Sequence, residues 1–199
     1  MKKNIYSGKF IVIEGLDGSG QSTQTELLKD FFIKKNCQVV LTKEPTLKSK
    51  AGKKIRQILD KKEKISSKKL QELFAEDRKN HLKNTIIPAL KKGKVVISDR
   101  YFFSSFAYGV SDNLSLDWLI KLNEKFLLPD ITFILKVNPG TCILRIKKRG
   151  SKITLFEEKK KLAKVWKTYK ILPKKLKNIK IINGEKSIKE VFSQIKKFF

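Results

Sequence analysis

Residues 9–23 read KFIVIEGLDGSGQST. The apolar run Phe10 to Ile13 suits a strand buried on both faces, and the chain then breaks into glycines before a Ser–Thr pair. Gly15 and Gly20 bracket four residues, Ser22 falls two places after Gly20, and a helix is expected to start there. Glycines let the backbone curl so that successive N–H groups converge on anionic oxygens, and the next helix adds its positive end. The stretch therefore predicts strand, phosphate loop (15–22) and helix, with Ser22 placed to put its hydroxyl on a magnesium ion. One position departs from the pattern G-x-x-x-x-G-K-[ST]: Gln21 stands where lysine is expected.

Outward from this loop, five β-branched, nearly continuous apolar runs read as strands, at 9–14, 37–42, 94–98, 131–137 and 178–183. Helical stretches fall between them at 21–35, 66–91, 115–127, 140–149, 155–172 and 187–197. Alternating strand and helix predicts an α/β fold, a five-stranded parallel sheet flanked by helices on both faces. The least apolar segments, 43–69 and 149–161, read as surface pieces. No repeat or linker divides the chain, and 199 residues suit a single domain.

The net charge of +27 raises the question of nucleic acid. The lysines are spread along the whole chain, however, as a lysine-rich surface without a partner would have them, so no stable nucleic-acid partner is expected. Of 46 basic residues only Arg56, Arg78, Arg100, Arg145 and Arg149 are arginine. Lysine cannot reproduce a planar, bidentate guanidinium, so these positions are expected where geometry demands one. No apolar run approaches the roughly 18 residues that span a bilayer. The basic start is too short of apolar residues for a signal peptide, so a cytoplasmic protein with no membrane association is expected. Cys37, Cys142 and His81 offer neither a disulfide framework nor a Cys/His metal site.

Leu70, Phe74, Arg78, Leu82 and Ile86 recur at steps of four and share a helix face. Arg78 then has two readings. Either it snorkels to the surface beside its stem, or it faces a pocket where Phe74 offers a ring to a flat base and Arg78 donates to a base carbonyl. In VVISDRYFFSSFAYG (95–109), Asp99 and Arg100 fall at the carboxyl end of a strand, where open α/β sheets bind ligands. Asp99 and Arg100 are either a structural ion pair or a functional one, Asp99 holding magnesium-bound water and Arg100 clamping phosphoryl oxygens.

The ordered set EGLDGSGQSTQ, TKEPT (42–46), LFAEDR (73–78), IIPALKKGKVVISDRY (86–101), SSFAYG (104–109), PDITFIL (129–135) and RIKKRG (145–150) resembles the thymidylate kinases over nearly the whole chain. The resemblance implies the P-loop nucleoside monophosphate kinase architecture, usually a homodimer, moving the γ-phosphate of ATP to dTMP with Mg2+. Gly15, Leu16, Asp17, Gly18, Ser19, Gly20, Gln21, Ser22 and Thr23 would then hold the ATP phosphates. Ser22 and Asp99 would serve the metal, and Arg145 and Arg149 would lie near the ATP and the start of a lid at about 149–161. On the acceptor side, Phe74 would stack on thymine, Arg78 would reach its carbonyl and Ser105 would touch the base edge. Tyr108 would crowd the sugar 2′ position, Asp17 would lie near the 3′-hydroxyl and acceptor phosphate, and Lys43 would stand beside that phosphate. Arg100 would bridge both phosphates, with Asp17, Asp99 and Gln21 completing the catalytic group.

The chain departs from the family in three places. Gln21 replaces the loop lysine, and Gly18 leaves out the loop arginine of one branch. The other branch carries an Asp–Arg pair in the lid before Phe–Glu, where this chain has Thr154–Leu155 before Phe156–Glu157. Lys147, Lys148 or Lys152 are the candidates to restore that charge. Two alternatives stand beside a weakened kinase: an inactive nucleotide-binding member of the family, and a basic nucleic-acid binder.

Overall fold

The computed structural model describes residues 1–60, 62–148 and 159–199. Its strands are β1 (Lys9–Gly15), β2 (Val39–Lys43), β3 (Val95–Asp99), β4 (Ile131–Lys136) and β5 (Ile179–Asn183). The helices are α1 (Gln21–Lys34), α2 (Lys50–Leu59), α3 (Ser67–His81), α4 (Ile87–Lys91), α5 (Phe102–Ser111), α6 (Leu116–Asn123), α7 (Pro139–Lys148), α8 (Lys159–Lys175) and α9 (Ile188–Lys196). The strands form one five-stranded sheet in the order β2-β3-β1-β4-β5, and every pairing is parallel. This is the sheet expected from the sequence.

β1 lies at the centre and feeds both faces. Phe10 and Val12 pack with the core beneath α2, α3, α5 and α8, whereas Ile11 and Ile13 pack against Leu28 and Phe32 of α1 and Val191 and Ile195 of α9. Alternation along a strand with both faces covered is why the run reads as unbroken apolar sequence. The register Ile13↔Asp99 ends β1 and β3 side by side, so the loop after β1 and residue 100 emerge together.

The segment 43–69 is not merely a surface piece. Lys50–Leu59 form a helix whose Ala51, Ile55, Ile58 and Leu59 are buried. Its lysines face outward, which lowers the mean apolarity without removing the apolar stripe. The stretch 67–91 is helical throughout, one residue short of the expected start, but a π-helical turn, Leu82–Ile86, separates α3 from α4. Pro88 lies two residues on; its ring crowds the preceding turn and it donates no hydrogen bond, so the ladder loosens there. Among the described residues no helix is long and apolar enough to cross a membrane.

Candidate active site

Gly18 and Gly20 take φ values of +84° and +97°, which curl the chain between β1 and α1. The first turn of α1 carries Ser22 and Thr23, both exposed, while Leu16 and Ser19 are buried in the loop. The Ser22 hydroxyl donates to Asp99 Oδ2 at 2.6 Å, and Lys43 Nζ lies 3.1 Å from the same oxygen. A side chain at position 18 has no room: a Cβ there would sit 2.5 Å from the Cys142 carbonyl oxygen of α7. The loop is therefore shaped around glycine at position 18.

Arg100 is held at the mouth of this loop, in left-handed backbone with φ 75°. Its Nη1 donates to the Gly15 carbonyl at 3.2 Å and to Ser104 Oγ at 2.8 Å. Its Nη2 donates to Asp17 Oδ1 at 2.5 Å and to Gln21 Oε1 at 3.2 Å. Burial works against the guanidinium charge, but Asp17 foremost, with Tyr108, Tyr169 and Glu14, holds its pKa well above the ordinary value. Gln21 is buried, and its Nε2 donates to the Gly15 carbonyl at 3.2 Å. The residue in the lysine position thus ties the loop to Arg100. Tyr108 donates to Asp17 Oδ2 at 2.8 Å and lies beneath the Arg100 guanidinium. From α7, Arg145 reaches the Ser19 carbonyl at 3.5 Å and the Gly184 carbonyl at 3.3 Å.

Behind Arg100 lies Glu14, fully buried and not singled out by the sequence reading. Its Oε1 accepts from the backbone N–H groups of Tyr101 (2.8 Å) and Ser104 (3.1 Å). Its Oε2 accepts from Ser104 Oγ (2.6 Å) and Tyr169 Oη (2.9 Å). Burial pushes its pKa up to about 7, against the pull of Arg100 and these donors. Glu14 is also the N-terminal cap of α5, which has no capping side chain of its own.

A cavity of about 630 Å³ opens beside the loop, bounded by the end of β2, the 44–48 segment, α2, α3 and α5. Asp17, Lys43, Phe74, Arg78, Ser105 and Tyr108 line it, and so does Arg100. All the residues placed on the acceptor side by sequence are therefore brought together on one cavity. The snorkelling reading of Arg78 is overturned, because the residue is 1% exposed. It donates to Glu44 Oε2 (2.8 Å), Asn123 Oδ1 (2.6 Å) and Ser105 Oγ (3.1 Å). A buried charge of this kind is tolerated because each face of the fork has a partner. Asp77 accepts from Thr46 N (2.7 Å), Thr46 Oγ1 (2.6 Å) and Ser49 Oγ (2.5 Å), which fixes the loop between β2 and α2. By contrast Arg56, expected at a demanding position, makes an exposed pair with Asp60 one helical turn on.

The glycine-curled loop at the start of α1 and the cavity beside it meet at Arg100. The family model for thymidylate kinase matches residues 13–195. The chain belongs to the thymidylate kinase family. It is 42% identical over 194 residues to a probable thymidylate kinase of Pyrococcus horikoshii, covering 94% of each chain. To the thymidylate kinase of Caldicellulosiruptor saccharolyticus it is 37% identical over 196 residues, covering 96% of this chain and 95% of the relative. The fold is similar to that of thymidylate kinase from Candida albicans, with a TM-score of 0.82 and 27% identity over 96% of this chain and 90% of that one.

Thymidylate kinases work by ATP-dependent phosphoryl transfer, generally with Mg2+. The donor set fits that ion: Ser22 Oγ and Asp99 Oδ2 are hard oxygens 2.6 Å apart, at the helix start where the phosphates would come. Among the described residues no three His, Cys, Asp or Glu gather, which suits an ion that keeps waters and takes substrate oxygens. In this member of the family Lys147 and Lys148 are exposed at the end of α7. Arg149, Lys152 and most of the expected lid, 149–158, lie outside the described residues.

Proposed function

We propose that the protein phosphorylates dTMP to dTDP with ATP and Mg2+, within dTTP biosynthesis. The observation that carries this reading is Arg100, which touches the phosphate loop through Gly15 and Asp17 while lining the acceptor cavity. One guanidinium thus faces both the donor and the acceptor phosphate, and a planar fork suits two sets of equatorial oxygens.

The ATP phosphates lie along the 15–22 amides, and Ser22 and Asp99 would hold Mg2+, which would supply positive charge to the transferring phosphates. Phe74 supports the thymine ring, Arg78 and Ser105 donate to or accept from its edge, and Tyr108 stands at the sugar. Burial raises the Tyr108 hydroxyl pKa well above its ordinary value, with Asp17 adding to the effect, so it stays a donor. Phosphoryl transfer asks for positioning and electrostatics, and Arg100 exchanges its Asp17 and Gln21 partners for phosphate oxygens as substrates arrive. Gln21 leaves the loop one cation short, so turnover is weakened and not abolished.

The test is coupled ADP release with dTMP, dCMP and the ribose counterpart of dTMP at several temperatures. dTMP should give the highest kcat/KM by about five-fold or more, since one buried hydrogen bond or clash is worth about 1–3 kcal/mol. ATP binding with no acceptor-dependent ADP release would favour the inactive, nucleotide-binding member.

A further inference from the structure

A tyrosine remote in sequence from the phosphate loop reaches the groups that hold Arg100. Tyr169 lies on α8, which packs against α5, and is fully buried. Its hydroxyl donates to Glu14 Oε2 at 2.9 Å and lies 3.1 Å from Ser104 Oγ and 3.4 Å from the Gly15 carbonyl. Ser104 Oγ and the Gly15 carbonyl are the two acceptors of Arg100 Nη1, at 2.8 Å and 3.2 Å. The tyrosine hydroxyl therefore meets both anchors of one edge of the guanidinium. The other edge, Nη2, rests on Asp17 and Gln21 of the phosphate loop.

The direction of the hydrogen bonds supports this division. Arginine has only donors to offer, so Ser104 Oγ must accept from it. The Ser104 hydrogen goes to Glu14 Oε2 at 2.6 Å, which leaves the lone pairs of its oxygen turned to Arg100. Tyr169 closes the same group from the side of α8. Burial raises its hydroxyl pKa well above the ordinary value, with Glu14 adding to the effect, so it stays a donor. Phenylalanine would fill the space without burying a polar group, and this chain uses Phe 13 times against four tyrosines. The hydroxyl is thus better explained by its contacts than by packing.

We propose that Tyr169 is a positioning residue for phosphoryl transfer, whose hydroxyl holds the Nη1 edge of Arg100 in place through Ser104 and the Gly15 carbonyl and so leaves the Nη2 edge to the phosphates. The inference rests on the phosphoryl-transfer reading above. Arg100 can trade its Nη2 partners for phosphate oxygens productively only if Nη1 stays fixed, because a displacement of about 1 Å at the reacting atoms can cost about 10²-fold in rate.

The experiment is steady-state ADP release from ATP and dTMP by the native protein, Tyr169→Phe, Ser104→Ala and the double variant, alongside thermal unfolding. Tyr169→Phe keeps the ring and should lower kcat about ten-fold, as loss of one hydrogen bond implies. KM for ATP and for dTMP should stay nearly unchanged, since the groups that bind either substrate in the ground state are untouched. Ser104→Ala reads the same anchor without altering α8 and should show the same split. Both hydroxyls act on one guanidinium edge, so the double variant should lose less than the product of the single losses. A tyrosine with a structural role alone would lower the melting temperature and leave kcat, measured well below melting, where it was; that result overturns the inference. Losses that multiply in full would give the two hydroxyls separate tasks and overturn it as well. Should Tyr169→Phe not fold, an unchanged kcat in Ser104→Ala would still overturn it. A native protein that binds ATP but shows no dTMP-dependent ADP release would overturn the phosphoryl-transfer reading itself, and this inference with it.

Discussion

At the scale of single residues, the chain's choice of arginine over lysine is the most readable signal. Among 46 basic residues Arg100 is one of five arginines, and its four contacts use the fork that lysine lacks. Arg100→Lys keeps the charge and should lower kcat by about 10²–10³-fold with little change in the melting temperature; unchanged turnover in steady-state ADP release would remove it from the phosphate clamp. Gln21 is the opposite case, a neutral residue where charge is expected. Gln21→Lys removes one partner of Arg100 and adds a cation beside the β/γ-phosphates. Turnover at saturating ATP should rise about ten-fold, on the scale of roughly 1.4 kcal/mol per decade; no change in rate or ATP affinity would mean that 15–22 is not a working cradle. Phe74 and Arg78 stood out on one helix face, Ser105 and Tyr108 were placed by resemblance to the family, and all four line one cavity. Glu14, Glu44, Asp77 and Asn123 did not stand out. Their task is to hold other side chains from positions remote in sequence, and neither spacing nor residue type discloses that.

At the scale of elements, strands were easier to read than two of the helices. The strands carry their signal locally, as unbroken β-branched runs. α2 was hidden by lysine, although Ala51, Ile55, Ile58 and Leu59 repeat at helical spacing and Ser49 accepts from the Gly52 N–H at 2.8 Å as its cap. α5 was hidden because its cap, Glu14, is 87 residues from Tyr101 and its own sequence is apolar nearly all round. The seating of α2 gives a sharp test. A Cβ on Gly52 would lie 1.8 Å from the Thr46 carbonyl oxygen and 2.8 Å from Asp77 Oδ1. Gly52→Ala must push α2 away from the 44–48 segment, at a cost of about 1–3 kcal/mol or more. Thermal unfolding should show a clear drop, and the KM for dTMP should rise while that for ATP stays put. An unchanged melting temperature would show that α2 is not seated as described.

For the whole molecule, Glu14 links stability to pH. Burial raises its pKa from 4.5 to about 7, so the folded chain holds this proton more tightly than the unfolded chain. Its contribution is fully present below pH 4.5 and is lost as pH rises through about 7. Relative to Glu14→Gln, the native protein should lose on the order of 3 kcal/mol across that window. Denaturant unfolding of both proteins at matched pH measures this, and a pH-independent difference would show that Glu14 is ionised throughout. The order of the strands has a consequence in time as well as in space. β1, the hub of the sheet, pairs with β3 and β4, whose first paired residues are Val95 and Ile131. A chain emerging from the ribosome thus presents Phe10–Ile13 with both edges bare until about half the protein has been made. Such a run is a template for unwanted pairing, and parallel sheets close slowly. During synthesis the 15–22 loop therefore hangs from a strand whose edges stay unpaired until β3 and β4 arrive.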